Sequence, residues 1–321
     1  MPAQRSMRAV RITAPRQFRI EELRAPSPGP SEVRVRLEGC GVCGSNLPVW
    51  QGRPWLDYPL ATGAPGHEGW GTVDQVGADV GEIEAGERVA ILSYHAYAEY
   101  DLVEADQVVR VPRHTAIFPG EALGCATNIF ARSDVQPGHT VAIIGIGFLG
   151  AVLTQLCSGA GARVIAISRR PFALDTARAC GATEAVEFSG AAAARVQELT
   201  DGRGCERVIE AAGEQEPLDL ATDIIAVRGR LVIAGYHQDS TRRVNMQLWN
   251  WRGIDVINAH ERDPKKYIDG MRDAAEKIAR GDLEPSLLYT HSFDLEHFSD
   301  ALDLIETRPQ GFLKVWIRTS P

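Results

Sequence analysis

Long hydrophobic runs are missing from this chain of 321 residues. Nothing approaches the roughly 18 consecutive apolar residues that a membrane helix needs, and Met1-Pro-Ala-Gln-Arg-Ser6 lacks the apolar core of a secretory signal. The expectation is a soluble cytoplasmic protein. Cysteine is scarce: six residues, at 40, 43, 125, 157, 180 and 205, are too few and too scattered for a disulfide scaffold. Basic charge is in deficit, with 34 Lys and Arg against 42 Asp and Glu, a formal net charge of −8 and a pI near 5.6. That balance argues against nucleic acid or an anionic membrane as the main partner and leaves a small molecule. The length suffices for two domains with proper cores.

Against these absences stands Val141-Ala-Ile-Ile-Gly-Ile-Gly-Phe-Leu-Gly150, an apolar strand that runs straight into Gly-x-Gly-x-x-Gly. Gly145 permits the sharp turn, Gly147 lets backbone approach a pyrophosphate, and Gly150 lets the next helix pack on the sheet. The helix that opens at Phe148 and Leu149 presents free N–H groups to the anion. A helical segment from Ala151 to Cys157 and a second strand, Arg163-Val-Ile-Ala-Ile167, complete a βαβ unit. Further strand-like runs at Arg207–Glu210, Leu231–Ala234 and Ile254–Ile257 predict a doubly wound parallel α/β sheet, a Rossmann dinucleotide fold.

The end of the second strand bears on the choice of coenzyme. An Asp or Glu there accepts from the ribose 2′-hydroxyl of NAD(H), but this strand ends Ser168-Arg169-Arg170. A hydroxyl and two guanidinium groups suit a 2′-phosphate, so NADP(H) is expected over NAD(H).

Residues 8 to 112 read as a mainly-β unit, with alternating runs such as Glu32-Val-Arg-Val-Arg-Leu37 and Arg88-Val-Ala-Ile-Leu92. Two short segments in it carry chemistry: Gly41-Val-Cys43-Gly-Ser45-Asn46 and Gly66-His67-Glu68-Gly-Trp-Gly71. Cys40 and Cys43 also form a Cys-x-x-Cys, which reads as a redox pair or half of a zinc site.

In these segments the chain resembles the zinc-containing medium-chain alcohol and polyol dehydrogenases. The second carries that family's Gly-His-Glu signature in full; the first matches its Cys-Gly-Ser-Asp motif except for Asn46. The likeness runs from Met7-Arg-Ala-Val10 to Leu313-Lys-Val-Trp-Ile317. It implies a GroES-like catalytic domain made of residues 1–122 and 261–321, a Rossmann domain over 123–260, and substrate held between them. It implies one catalytic zinc on Cys43, His67 and a third ligand. In the polyol branch that ligand falls on Glu121, with Cys125 as the rival nearby; in some members the Glu after the His, here Glu68, comes onto zinc. Thiolate, imidazole and carboxylate with one open position suit catalytic zinc. Zinc would act as Lewis acid toward the substrate oxygen, Ser45 would pass on the proton, and the nicotinamide would exchange the hydride.

The departures matter as much. Only Ser93-Tyr-His-Ala-Tyr97 occupies the place of the family's four-cysteine lobe, so no structural zinc is expected. Pro48 stands where a proton-relaying His is common, and His95 is a possible substitute. Asn46 removes a carboxylate that would make a ligating imidazole more basic. Trp50, Trp55, Tyr94, Tyr97, Trp249 and Trp251 are candidates to line a pocket for a ring-shaped substrate, or else core and contact residues. Glu121 favours a polyol, cyclitol or sugar-like secondary alcohol, and the family implies a homodimer or homotetramer. A zinc-free NADPH quinone or enoyl reductase, or a nucleotide-binding redox sensor without turnover, are the rival readings.

Overall fold

The computed structural model describes residues 5–237 and 239–319. In chain order the elements are β1 (Ser6–Ala14), β2 (Gln17–Arg24), β3 (Glu32–Gly41), α1 (Asn46–Gln51), β4 (Glu68–Val76), β5 (Arg88–Ile91), β6 (Tyr100–Glu104), β7 (Val108–Arg110) and α2 (Gly120–Ser133). Then come β8 (Thr140–Ile144), α3 (Phe148–Gly159), β9 (Arg163–Ser168), α4 (Pro171–Ala179), β10 (Glu184–Glu187), α5 (Ala192–Leu199), β11 (Cys205–Glu210), α6 (Gln215–Ile224) and β12 (Ile225–Ile233). The chain closes with α7 (Met246–Arg252), β13 (Asp255–Asn258), α8 (Pro264–Arg280), β14 (Tyr289–Asp294), α9 (Phe298–Thr307) and β15 (Lys314–Arg318).

Two compact units result: Met1–Gly124 with Asp263–Ala279 and Tyr289–Pro321, and Cys125–Arg262 with Arg280–Leu288. The resemblance implies that all of 261–321 belongs to the first. Arg280–Leu288 instead belongs to the second, where Gln155 holds it by a reciprocal pair: Nε2 to the Glu284 carbonyl and Glu284 N–H to Oε1, each at 2.9 Å.

The first unit is built on a seven-stranded sheet, β14-β15-β3-β4-β5-β7, with β6 also paired to β3 and a β1-β2 hairpin beside it. Val33, Val35 and Leu37 alternate inward along β3, the period-2 signature of a half-buried strand. They share a core with Trp50, Phe298 and Ile317. Each such fully buried apolar side chain contributes about 1.5–3 kcal/mol.

The second unit is a parallel sheet of order β10-β9-β8-β11-β12-β13, the doubly wound pattern in which winding reverses beside the first strand. Val141 to Ile144 and Val164 to Ser168 are buried without interruption, as strands covered on both faces must be. Among the described residues no helix is long and apolar enough to cross a membrane.

Candidate functional site

In the first unit three neighbouring strands assemble the polar centre. Gly41 ends β3 and lies opposite Glu68 of β4 on one side and Trp316 of β15 on the other. Gly41 has no side chain because Glu68 needs the space: a Cβ there would sit 1.8 Å from Glu68 Oε2. Cys43 follows in the turn before α1, and His67 immediately precedes β4. Ligand atoms of Cys43, His67 and Glu68 fall within 4.8 Å of one another.

His67 Nδ1 lies 2.8 Å from the Pro65 carbonyl. A carbonyl only accepts, so Nδ1 carries a proton and Nε2 is the ring atom left for a metal. Asn46 does not replace a carboxylate on His67. Its amide Nδ2 donates to that same Pro65 oxygen at 3.2 Å, while its Oδ1 accepts from Cys43 N–H at 3.0 Å and from the Tyr97 hydroxyl at 2.8 Å. Asn46 therefore ties the Cys43 turn to the His67 segment. Ser45 donates its backbone N–H to Cys43 Sγ at 3.5 Å, and its hydroxyl does not cap α1.

Burial would lower the His67 pKa, but the hydrogen bond to Cys43 and the negative charges of Cys43, Glu121 and Glu68 outweigh it and push it up to about 10. Cys40, fully buried on β3, is outside the group; burial and the charge of Glu68 push its thiol well up, and all six cysteines are free. The Cys-x-x-Cys is therefore one buried core thiol and one site thiol.

Lys314 was not singled out from sequence. It opens β15 and is buried, with Nζ 2.6 Å from Glu68 Oε1 and 2.5 Å from Oε2, and it donates to the Val42 carbonyl at 3.2 Å. The hydrogen bond goes to Oε1; Oε2, also buried, pairs with the ammonium by charge and, among the described residues, has no donor aligned for a hydrogen bond. Burial would lower the Lys314 pKa, yet Glu68, with Cys43 and Glu121, holds the ammonium above its ordinary value. The only sequence signal was a lone cation inside Leu313-Lys-Val-Trp-Ile317.

Glu121 lies in the first turn of α2, near enough for its charge to act on His67 and Lys314 but outside the three-residue group. Cys125 belongs to the second unit, where with Asn128, Ala234 and His260 it lines a cavity of about 20 Å³. His95 is exposed; its ring meets that of Tyr94 edge-on at 6.4 Å, and Tyr94 stacks on His67 at 6.0 Å. Of the other aromatics, Trp50 and Tyr97 are core residues, Trp55 and Trp251 are exposed, and Trp249 donates to Thr222 Oγ1 at 3.0 Å.

In the second unit the glycine turn lies at the C-terminal end of β8, the central strand. Gly145 takes φ of +99°. A Cβ on Gly150 would lie 2.1 Å from the Gly145 carbonyl oxygen, whereas Gly147, the N-cap of α3, faces open space. Phe148 and Leu149 begin the helix, whose first N–H groups have no partner within it. Ser168 ends β9, buried, and its Oγ accepts from Arg170 N–H at 3.3 Å. Arg170 Nη2 donates to the Ile146 carbonyl at 3.1 Å, inside the glycine turn. Arg169 lies over the Phe188 ring, 4.7 Å from its centroid, and pairs with Glu214 and Glu216.

Comparison with known proteins bears on both units. Residues 29–113 match the alcohol dehydrogenase GroES-like domain, and residues 149–276 match the zinc-binding dehydrogenase domain. The chain is 25% identical to the starvation-sensing protein RspB of Escherichia coli, over 98% of this chain and 100% of that protein. It is also 25% identical to sorbitol dehydrogenase of Bacillus subtilis, over 97% of each. The crystal structure of a zinc-binding dehydrogenase from Sinorhizobium meliloti bound to NADP superposes with a TM-score of 0.84 at 25% identity, covering 98% of this chain and 100% of that one. With both domain matches falling on the units that carry these residues, the chain belongs to the zinc-dependent medium-chain dehydrogenase family and is an alcohol dehydrogenase-like oxidoreductase.

Proposed function

We propose that the protein is a zinc-dependent oxidoreductase that transfers a hydride between NADP(H) and a secondary alcohol or its ketone, of polyol, cyclitol or sugar-like type. The observation that carries this reading is the convergence of a thiol, an imidazole and a carboxylate to within 4.8 Å in one unit. The donor set fits zinc: Cys43 is soft, His67 has Nδ1 spent on the Pro65 carbonyl so that Nε2, which meets Cys43, is the ring atom for a metal, and the Glu68 carboxylate is buried beside them. Bound there, zinc would supply Lewis acidity toward the substrate oxygen.

Between the two carboxylates we assign Glu121 as the resting third ligand and Glu68 as a reserve held by Lys314. Drawing Glu68 away would strand a buried ammonium, and breaking one side of such a pair costs about 3–5 kcal/mol. Glu121 lies in the first turn of α2, close enough for its charge to act on His67 and Lys314. Ser45, beside Cys43 with a hydroxyl not spent on capping, takes the proton of the substrate hydroxyl. We assign the exit of that proton to His95, on its exposure and its ring contact with Tyr94.

For the coenzyme, Gly145, Gly147, Phe148, Leu149 and Gly150 are assigned to the pyrophosphate, and Ser168, Arg169 and Arg170 to the ribose 2′-phosphate. Arg169 must leave Glu214 and Glu216 to do so, at small cost, because exposed ion pairs are worth about 0–1 kcal/mol. Six free cysteines accord with a reducing cytoplasm. The exposed edge strand β13 supports pairing into a homodimer or homotetramer.

The test is a panel of polyols, cyclitols, sugars and simple secondary alcohols offered to the zinc-loaded protein with NADP+ or NAD+, read by nicotinamide absorbance. Turnover of a secondary alcohol with NADP+ preferred supports the proposal. Reduction of quinones or enones, with no alcohol oxidised, contradicts it.

A further inference from the structure

The nucleotide unit holds a second buried charge cluster that the reaction above does not use. Glu210, the last residue of β11, is completely buried. Its Oε1 accepts from the backbone N–H of Ala212 at 2.8 Å and of Gly213 at 2.7 Å, and its Oε2 lies 2.8 Å from His237 Nε2. The other ring nitrogen, Nδ1, lies 2.9 Å from Arg242 Nε. A guanidinium only donates, so Nδ1 accepts and the ring proton sits on Nε2, directed at Glu210. Two neighbours thus hold His237 in one neutral tautomer. Arg242 is itself mostly buried, pairs with Asp239, and donates Nη2 to the Gly213 carbonyl at 2.8 Å.

The cluster joins two loops, one after β11 and one after β12. A Cβ on Gly235 would lie 2.3 Å from Gly213 N and 2.7 Å from Glu210 Oε2, so these loops touch backbone to backbone where the carboxylate grips them. The glycine turn after β8 abuts the same place: a Cβ on Gly145 would meet Ala212 N at 2.9 Å. Gln215 extends the seam, donating Nε2 to the Arg243 carbonyl at 2.8 Å and accepting Arg243 N–H at 2.9 Å.

Strand order says what this seam faces. β9 lies on one side of β8, and β11 followed by β12 on the other. With a pyrophosphate at the start of α3 and the adenosine ribose at the end of β9, the remaining half of the dinucleotide would run toward the ends of β11 and β12. We infer that Glu210, His237 and Arg242 form a brace that positions the nicotinamide half of the coenzyme. They are positioning residues: the brace fixes the wall against which the ring must lie for hydride transfer, and a fully satisfied buried polar network is rigid. The inference rests on the dinucleotide reading of the glycine turn.

The experiment is calorimetric titration of the full zinc-loaded protein with four probes: NADPH, NADH, ADP-ribose and 2′-phospho-ADP-ribose. Wild type is compared with His237→Ala, Glu210→Gln and the double variant. Glu210→Gln can turn an amide N–H toward His237 Nε2–H, so it breaks the same chain of bonds without changing shape. Removing one link of a satisfied network should weaken the reduced dinucleotides about tenfold and leave the two nicotinamide-free probes within about twofold. The double variant should bind no more weakly than the worse single one, because one network is lost only once. Equal loss for all four probes, or no loss for any, overturns the brace and leaves the dinucleotide site standing. Wild type that binds none of the four overturns both. Should Glu210→Gln not fold, His237→Ala and Arg242→Gln, both in a loop, carry the same comparison.

Discussion

Replacing Lys314 by Met probes the centre most sharply. Lys314 and Glu68 are 6% and 0% exposed, and the methionine keeps most of the side chain's volume while deleting its charge. In metal-free protein Glu68 then loses its hydrogen-bonded cation, and one-sided removal of a buried pair costs about 3–5 kcal/mol. For a unit of this size that is a fall in Tm on the order of 10 °C. Zinc changes the balance, because the freed carboxylate, already within 4.8 Å of the Cys43 and His67 ligand atoms, gains a divalent partner. The variant should therefore recover most of its loss on zinc binding, hold zinc more tightly than wild type, and turn over poorly, since Glu68 fills the position the substrate oxygen needs. The assay is thermal unfolding of chelated and zinc-loaded forms of both proteins, with kcat for the loaded pair; Lys314→Met combined with Glu68→Gln should restore the metal-free Tm. Equal Tm losses with and without zinc, or unchanged kcat, would refute the reasoning.

Other outcomes follow from the same geometry. His67 is raised to about 10 in metal-free protein but must be neutral to ligate, so zinc affinity should rise about tenfold per pH unit from pH 7 to 9; competition with a chelator measures it, and a flat profile contradicts it. With its folded pKa above the ordinary 6.5, His67 contributes stability to the metal-free form that is fully present below pH 6.5 and lost as pH rises through about 10. Chelated melts across that window should show Tm falling with pH from this group. Asn46→Asp, although Asp is the family's usual residue, would set a carboxylate oxygen against the Pro65 carbonyl 3.2 Å away and should destabilise by about 2 kcal/mol; an unchanged denaturant midpoint would show that the amide's donation is dispensable. Ser168→Asp should shift the NADP+ to NAD+ ratio of kcat/KM at least about tenfold toward NAD+, by repulsion of the 2′-phosphate, and an unmoved ratio would remove Ser168 from the clamp.

The strands at Val141 and Arg163 were legible because both-face burial demands unbroken apolar runs, the one at Arg207 only from its buried Val208-Ile209 pair, and the glycine turn because its backbone leaves few residue choices. β10, Glu184–Glu187, was missed: as an edge strand only Val186 is buried, so it carries no periodic signal. β12 begins at Ile225, six residues before the apolar run at Leu231, and Arg228 takes φ of +60° within the strand. Cys43, His67 and Glu68 were readable from short glycine-framed motifs. Lys314, the Pro65 carbonyl, and the partners of Asn46 were not, because each depends on which strands become neighbours: Lys314 meets Glu68 across 246 residues. The Glu210, His237 and Arg242 cluster escaped for the same reason, its members falling in two loops brought together only by parallel pairing of β11 and β12.

X-ray absorption at the zinc edge, with zinc counted per chain, tests the metal and its ligands directly. The expected result is about one zinc per chain with a single sulfur neighbour and the remainder nitrogen or oxygen, and loss of that sulfur in Cys43→Ser. No zinc after purification in its presence, or a site with two or more sulfur ligands, would contradict the assignment of Cys43, His67 and a carboxylate.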